Sequence, residues 1–197
     1  MMKIKEIIIV LLSIVFFTPV INAQNNESRF GLEISTGLSV ATNKLGDASL
    51  KTGFGAEAIF HYRFLSSTGV YAGWGWNRFS CENSFAGVNS DFEETGYVMG
   101  LQFKHSVGAS PLSLYLRAGA LYNHIEIENE EGDIINNSGH GWGWQVAGGV
   151  DIRLSEKVSL TPGVKLNSLR RDILFDGTAR ELKHNYLSFR VGLLKRF

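Results

Sequence analysis

The sequence predicts an all-β chain: an eight-stranded antiparallel up-and-down transmembrane β-barrel, preceded by a cleaved export signal. Three observations carry this expectation. The first residues have the layout of a secretory signal peptide. The rest alternates at period two between a bulky apolar face and a small or polar one. The connections between the alternating stretches are in turn short and long.

Lys3 and Lys5 form a basic start, Ile7 to Val20 a largely apolar run of about 14 residues, and small Ala23 precedes Gln24. That is the order of a signal peptide, with cleavage expected after Ala23. The run is shorter than the roughly 20 residues a spanning helix needs. Gln24, not Cys, stands at the first mature position, which argues against a lipoprotein. Residues 1–23 are therefore read as signal and 24–197 as one barrel domain.

Formal net charge is zero, which removes the electrostatic case for nucleic acid. A single cysteine, Cys81, leaves no internal disulfide framework. Glycine is abundant at 22 residues and proline scarce at 3, and no second long apolar run exists. Spanning helices are thus excluded, whereas a barrel crosses by alternation and not by hydrophobic length.

The strands follow in order. Phe30, Leu32, Ile34, Thr36, Leu38 and Val40 share one face of the first, opposite Gly31, Glu33, Ser35, Gly37 and Ser39. The second sets Phe54, Ala56, Ala58, Phe60, Tyr62 and Phe64 against Gly55, Glu57, Ile59, His61 and Arg63. In the third, Val70, Ala72, Trp74 and Trp76 oppose Tyr71, Gly73 and Gly75; in the fourth, Tyr97, Met99, Leu101 and Phe103 oppose Gly96, Val98, Gly100, Gln102 and Lys104. The fifth runs over 112–123, the sixth over 142–154, the seventh over 158–167 and the last over 187–197, each with the same two-faced pattern. Of the charged residues, Lys195 alone falls on an apolar face. A soluble sandwich would turn its polar face outward. Here the bulky aromatics occupy the face that must meet lipid, and the Gly, Ser and charges the face that must meet a hydrated or ion-paired interior.

Residues 65–69, 105–111 and 155–157 are short connections, and 41–53, 77–95, 124–141 and 168–186 long loops. This places both termini on the short-turn side, expected to be periplasmic, and four loops outside the cell. Strand direction then gathers Trp74, Trp76, Tyr97, Tyr122, Trp142 and Trp144 into an upper aromatic girdle, and Phe30, Phe64, Phe103 and Phe197 into a lower one.

The ending Arg190-Val191-Gly192-Leu193-Leu194-Lys195-Arg196-Phe197 resembles the C-terminal assembly signal of outer-membrane barrels, with Gly192, Leu193 and Phe197 in the signal positions. Lys195 departs from it, since an apolar residue is usual there. The stretch Gly148 to Leu160 is similar to the sixth and seventh strands, with their turn, of OmpA/OmpX-like barrels. The resemblance implies residence in a bacterial outer membrane among lipid and lipopolysaccharide. It also implies insertion by the barrel-assembly machinery, and a role in adhesion, envelope integrity, narrow conduction or, occasionally, lipid modification. OmpA-type proteins often carry a peptidoglycan-binding domain after the barrel; a sequence ending on Phe197 is expected to lack it.

Inside the barrel the pattern places Glu33, Glu57 and Asp151 with Arg63, Lys104, Arg117, Arg153, Lys165 and Arg190. An eight-stranded barrel is just wide enough for side chains to fill, and buried charges must be paired. The expectation is an ion-pair plug; the alternative is a gated ion path with a basic bias. His124 and His140 flank the third loop and would face each other in a hairpin, but no third ligand sits at zinc-site spacing. Glu126, Glu128, Glu130, Glu131 and Asp133 make that loop acidic. Arg170, Arg171, Arg180 and Lys183 make the fourth more basic, offset by Asp172, Asp176 and Glu181; a contact with lipopolysaccharide phosphate is the functional reading there.

Barrels that deacylate lipid A resemble one another in a His-x-Ser-Asn signature, and His105-Ser106 and His184-Asn185-Tyr186 do not match it. Palmitoyl-transferring barrels begin with an amphipathic helix, for which Gln24 to Arg29 is too short. No metal or cofactor is implied. The leading expectation is a non-enzymatic envelope barrel that presents surface loops, followed by a narrow channel and, third, a lipid-modifying enzyme.

Overall fold

The computed structural model describes residues 28–197, so the signal peptide expected over 1–23 lies outside the described residues. Ten strand segments follow one another: β1 (Phe30–Ala41), β2 (Gly53–Arg63), β3 (Thr68–Ser84), β4 (Gly87–Ser106), β5 (Leu112–Glu128), β6 (Ile134–Asn137), β7 (Gly141–Arg153), β8 (Val158–Leu160), β9 (Gly163–Phe175) and β10 (Thr178–Arg196). Sequential wall strands pair antiparallel, and β1 returns to β10 from Gly31↔Arg196 to Ala41↔Tyr186, which closes the ring. β8 and β9 are two pieces of one wall strand, interrupted at Thr161 and Pro162. Proline brings no N–H to the ladder, yet its carbonyl accepts from Val150 N at 3.0 Å and Thr161 N–H donates to Gly192 O at 2.8 Å. Counting β8 and β9 together, and leaving aside β6, which pairs only with β5, the wall has eight strands.

The alternation sets which face meets lipid. Ile34, Leu38, Leu101, Leu116, Val164 and Leu193 point outward and are exposed, while Glu33, Ser35, Glu57, Arg117, Lys165 and Arg190 point inward and are buried. All ten girdle aromatics take the outward parity. Trp142 is 64 % exposed and Phe197 55 %, surfaces that only a non-aqueous surrounding accommodates at this density.

Three of the four long loops expected from the sequence are largely strand. β3 and β4 continue as one hairpin to Ser84 and Gly87, and β9 and β10 to Phe175 and Thr178. Asp176 and Gly177 close the latter with φ of 48° and 72°, the two left-handed residues of a type I′ turn. β5 runs on to Glu128, and β6 folds back on it. Residues 42–52 alone remain mainly irregular, with a single bridge between Leu45 and Ala48. The wall thus consists of a belt with an apolar exterior and, above the upper girdle, a crown. In the crown polarity inverts: Arg78, Ser80, Asp91, Glu93, Glu126 and Arg170 face out. Leu45, Ala48, Cys81, Phe92, Ile125, Ile127, Leu169, Ile173 and Leu182 form a buried core inside.

Candidate functional site

The lumen of the belt is filled by polar side chains that reach across it. Low in the barrel, Asp151 Oδ2 takes both Lys104 Nζ at 2.8 Å and Arg196 Nη2 at 2.6 Å. At mid-height Arg117 Nη2 meets Glu33 Oε2 at 2.5 Å while its Nε donates to Gln102 at 2.8 Å. Its guanidinium lies 4.5 Å from the Tyr115 ring centroid. Glu33 also accepts from His61 Nε2 at 3.1 Å and Thr161 Oγ1 at 3.2 Å. Lys165 Nζ holds Glu57 at 2.8 Å. Each of these three carboxylates is buried and has a cation on it, so the desolvation cost of the charges is met by direct pairing.

The close approach of chains here has a sequence requirement. A Cβ on Gly192 would stand 2.5 Å from Thr161 Oγ1 and 3.1 Å from Glu33 Oε1. Gly192 therefore makes room for the Glu33 cluster, beside whatever it does during assembly.

Among the lumen cations expected from the sequence, Lys104, Arg117, Lys165 and Arg190 line the interior and Arg63 lines its lower end. Arg153 is a correction. It has the inward parity, but β7 ends at it and its side chain is exposed at the lower rim. Arg196, which is not among the cations the sequence places in the lumen, shares Asp151 with Lys104.

A further cluster above these pairs was not foreseen. Tyr186 Oη donates to Glu94 Oε1 at 3.2 Å and accepts from Asn77 Nδ2 at 3.0 Å and Asn167 Nδ2 at 2.5 Å. Asn123 donates to the same Glu94 oxygen at 2.7 Å, and His184 Nδ1 stands 3.2 Å from Oε2. Arg190 reaches this cluster through Asn77 Oδ1 at 2.5 Å. Glu94, His184 and Tyr186 are all essentially inaccessible. They seal the polar lumen against the apolar core of the crown, onto which Leu45 and Ala48 of the first connection are laid.

On the outside of the crown, Arg78 binds Asp91 at 2.5 Å and Glu93 and Glu128 at 3.1 Å each. Burial, followed by the neighbouring Glu93, pushes the Glu128 carboxyl above its ordinary range, against the pull of Arg78. His124 and His140 do meet, Nδ1 to Nε2 at 3.0 Å. Glu126, however, takes the other nitrogen of His124 at 3.2 Å, so the three groups do not converge on one point. Arg170 and Lys183 lie outward on Glu181, whereas Arg171 donates to Ser138 O at 3.0 Å and Arg180 lies over the Phe85 ring.

A closed eight-stranded wall with a lipid-facing belt and a filled lumen defines a class, and comparison with known proteins defines the family. Residues 8–194 match the outer membrane protein β-barrel domain. The chain belongs to that family. As an outer membrane protein β-barrel domain it is similar in fold to neisserial surface protein A (TM-score 0.65, 18 % identity, 88 % of this chain and 100 % of that one). It is similar to OprG of Pseudomonas aeruginosa (TM-score 0.56, 15 % identity, 87 % and 97 %). It is similar also to outer membrane protein W of E. coli (TM-score 0.55, 14 % identity, 88 % and 100 %). No curated protein matches the sequence itself. The family places the barrel in a bacterial outer membrane.

Proposed function

We propose that the protein is a non-enzymatic, plugged outer-membrane barrel whose crown is its working part, displayed on the cell exterior to lipopolysaccharide, a host surface or another envelope protein. Both termini then face the periplasm, and the barrel-assembly machinery inserts the chain. The observation that carries this reading is the double closure of the lumen. Ion pairs bridge the belt from wall to wall, and above them the Glu94 cluster and the apolar core fill the crown. Among the described residues, two cavities in the lumen have volumes of about 50 and 20 Å³. Space of that size holds a few waters and no conducting column.

Planar-bilayer recording of the refolded protein tests the reading. The expected result is rare or no opening. A large, steady conductance overturns it and makes the narrow channel the better account.

A further inference from the structure

Of the charged side chains in the belt, Lys195 alone takes the outward parity, and it is exposed there. Its cross-strand partners are Leu32 on β1 and Val158 on β8. Along its own chain Leu193 and Phe197 share its face, two residues to either side, and both are exposed. These four neighbours are all apolar. The lumen carboxylates Glu33 and Asp151 point to the other side of the wall, where Arg117, Lys104 and Arg196 hold them. Among the described residues Lys195 makes no hydrogen bond or ion pair.

Height along the wall decides what such a cation meets. Phe30 stacks on Tyr62 with centroids 5.1 Å apart and lies 5.9 Å from Phe60, which in turn lies 6.4 Å from Phe197, so the lower rings form one cluster at the rim. Aromatic rings in that position mark the membrane–water interface. Lys195 stands two residues above Phe197, roughly 5 Å in height for a strand rise of about 3.3 Å per residue and a tilt of about 40°. A lysine at that depth lays its stem along apolar surface and carries its ammonium to the interface. The anion that the interface offers there is the phosphodiester of a phospholipid.

We infer that Lys195 anchors a binding site for a net-anionic phospholipid of the leaflet at the lower rim. The ammonium holds the phosphodiester, and the acyl chains lie on Leu32, Leu193 and Val158. A zwitterionic headgroup carries its own cation, which competes for the phosphate and repels Lys195. A headgroup without a cation leaves the attraction whole. One Lys beside an anionic membrane surface corresponds to about a fivefold preference.

The probes are phosphatidylglycerol and phosphatidylcholine with identical acyl chains, offered in equal amounts to the refolded barrel in neutral detergent at constant ionic strength. Native mass spectrometry counts the lipids that each barrel retains. The first lipid retained is expected to be phosphatidylglycerol over phosphatidylcholine by about fivefold. Lys195→Met should abolish the preference, Lys195→Arg should keep it, and Lys183→Gln in the crown should leave it unchanged. Heat-modifiable gel mobility verifies folding, and Lys195→Gln is read if Lys195→Met does not fold. Inorganic phosphate should not displace the retained lipid, since it lacks the acyl chains. No preference in the wild type, a preference that survives removal of the ammonium, or displacement by inorganic phosphate overturns the assignment.

Discussion

The belt and the crown are built from the same strands and obey opposite rules. On β3, Trp74 and Trp76 face outward beside inward Gly73 and Gly75; a few residues higher, Arg78 and Ser80 face outward beside inward Phe79 and Cys81. On β5, outward Tyr122 gives way to Glu126 and Glu128, and inward Arg117 to Ile125 and Ile127. Between β3 and β4 the pleat does not slip, as the unbroken register from Thr68↔Phe103 to Trp76↔Thr95 and on to Cys81↔Ser90 makes plain. What changes is the solvent. Lipid outside demands an apolar exterior and lets ion pairs fill a narrow interior; water outside demands the reverse and supplies the hydrophobic effect that the belt lacks. The crown is folded like a small soluble domain on a membrane-built base.

The sharpest break in this comparison is at assembly. Deleting Phe197 from the lower rim should leave export intact and prevent insertion, so that unfolded protein accumulates in the periplasm or is degraded. Replacing Leu174–Ala179 at the crown tip by Asn-Gly joins the paired residues Ile173 and Arg180 through a favourable two-residue turn. That variant should insert normally. Equal amounts of heat-modifiable barrel from both would remove the distinction.

Next in size are the two interiors. Glu57→Gln strands the Lys165 ammonium and should cost about 3–5 kcal/mol, less where water reaches it. Phe92→Ala empties the centre of the crown and should cost about 3–5 kcal/mol as well. The difference lies in where the loss is felt: amide exchange should quicken around the lumen in the first variant and in residues 42–52 and the upper hairpins in the second. A uniform loss of protection in both would mean that belt and crown unfold as one unit.

The outward face gives a smaller contrast. Leu116→Arg places a charge in the belt's lipid contact, worth roughly 2–4 kcal/mol near the bilayer midplane. Ser80→Arg has the same outward parity in the crown and should stay within about 0.5 kcal/mol. Denaturant titration in lipid vesicles compares them, and equal losses would refute the boundary drawn at the upper girdle.

The smallest effect concerns pH. Glu128 has a raised carboxyl pKa in the folded crown, so between the ordinary glutamate value of 4.5 and that raised value the folded state holds more proton than the unfolded. Stability of the crown should then fall as pH rises through that window and be free of this penalty below it. Glu128→Gln should flatten the slope, read by thermal unfolding at constant salt.

The belt was legible because period-two alternation with bulky residues on one face has one natural meaning in an exported chain. Its strands, the parity of every girdle aromatic and the cations Arg117, Lys165 and Lys104 on Glu33, Glu57 and Asp151 follow from that parity, whereas His61 on Glu33 and Arg196 on Asp151 do not. The crown reads as loops because its alternation is inverted: Phe79 and Cys81 against Arg78, Ser80 and Glu82 is a strand pattern, but with the apolar set on the face that belongs to the lumen lower down. Glu94 escapes for the same reason, since the apolar-out alternation of the fourth strand begins only at Gly96. Parity alone points Arg153 inward and says nothing of its height along the strand, at whose end it lies exposed. Pairings such as His184 with Glu94 join residues 90 apart in sequence by their numbers, and no local signal marks them.

The inverted polarity of the crown has a consequence for how its surface can change over time. The side chains that hold the crown together, Leu45, Phe92, Ile127 and Leu182 among them, are all turned inward. Those that face away from it, such as Ser80, Glu82 and Asp172, take no part in that core. Surface identity and foldability are therefore written on opposite sides of the same strands, and substitution can revise the first residue by residue without eroding the second.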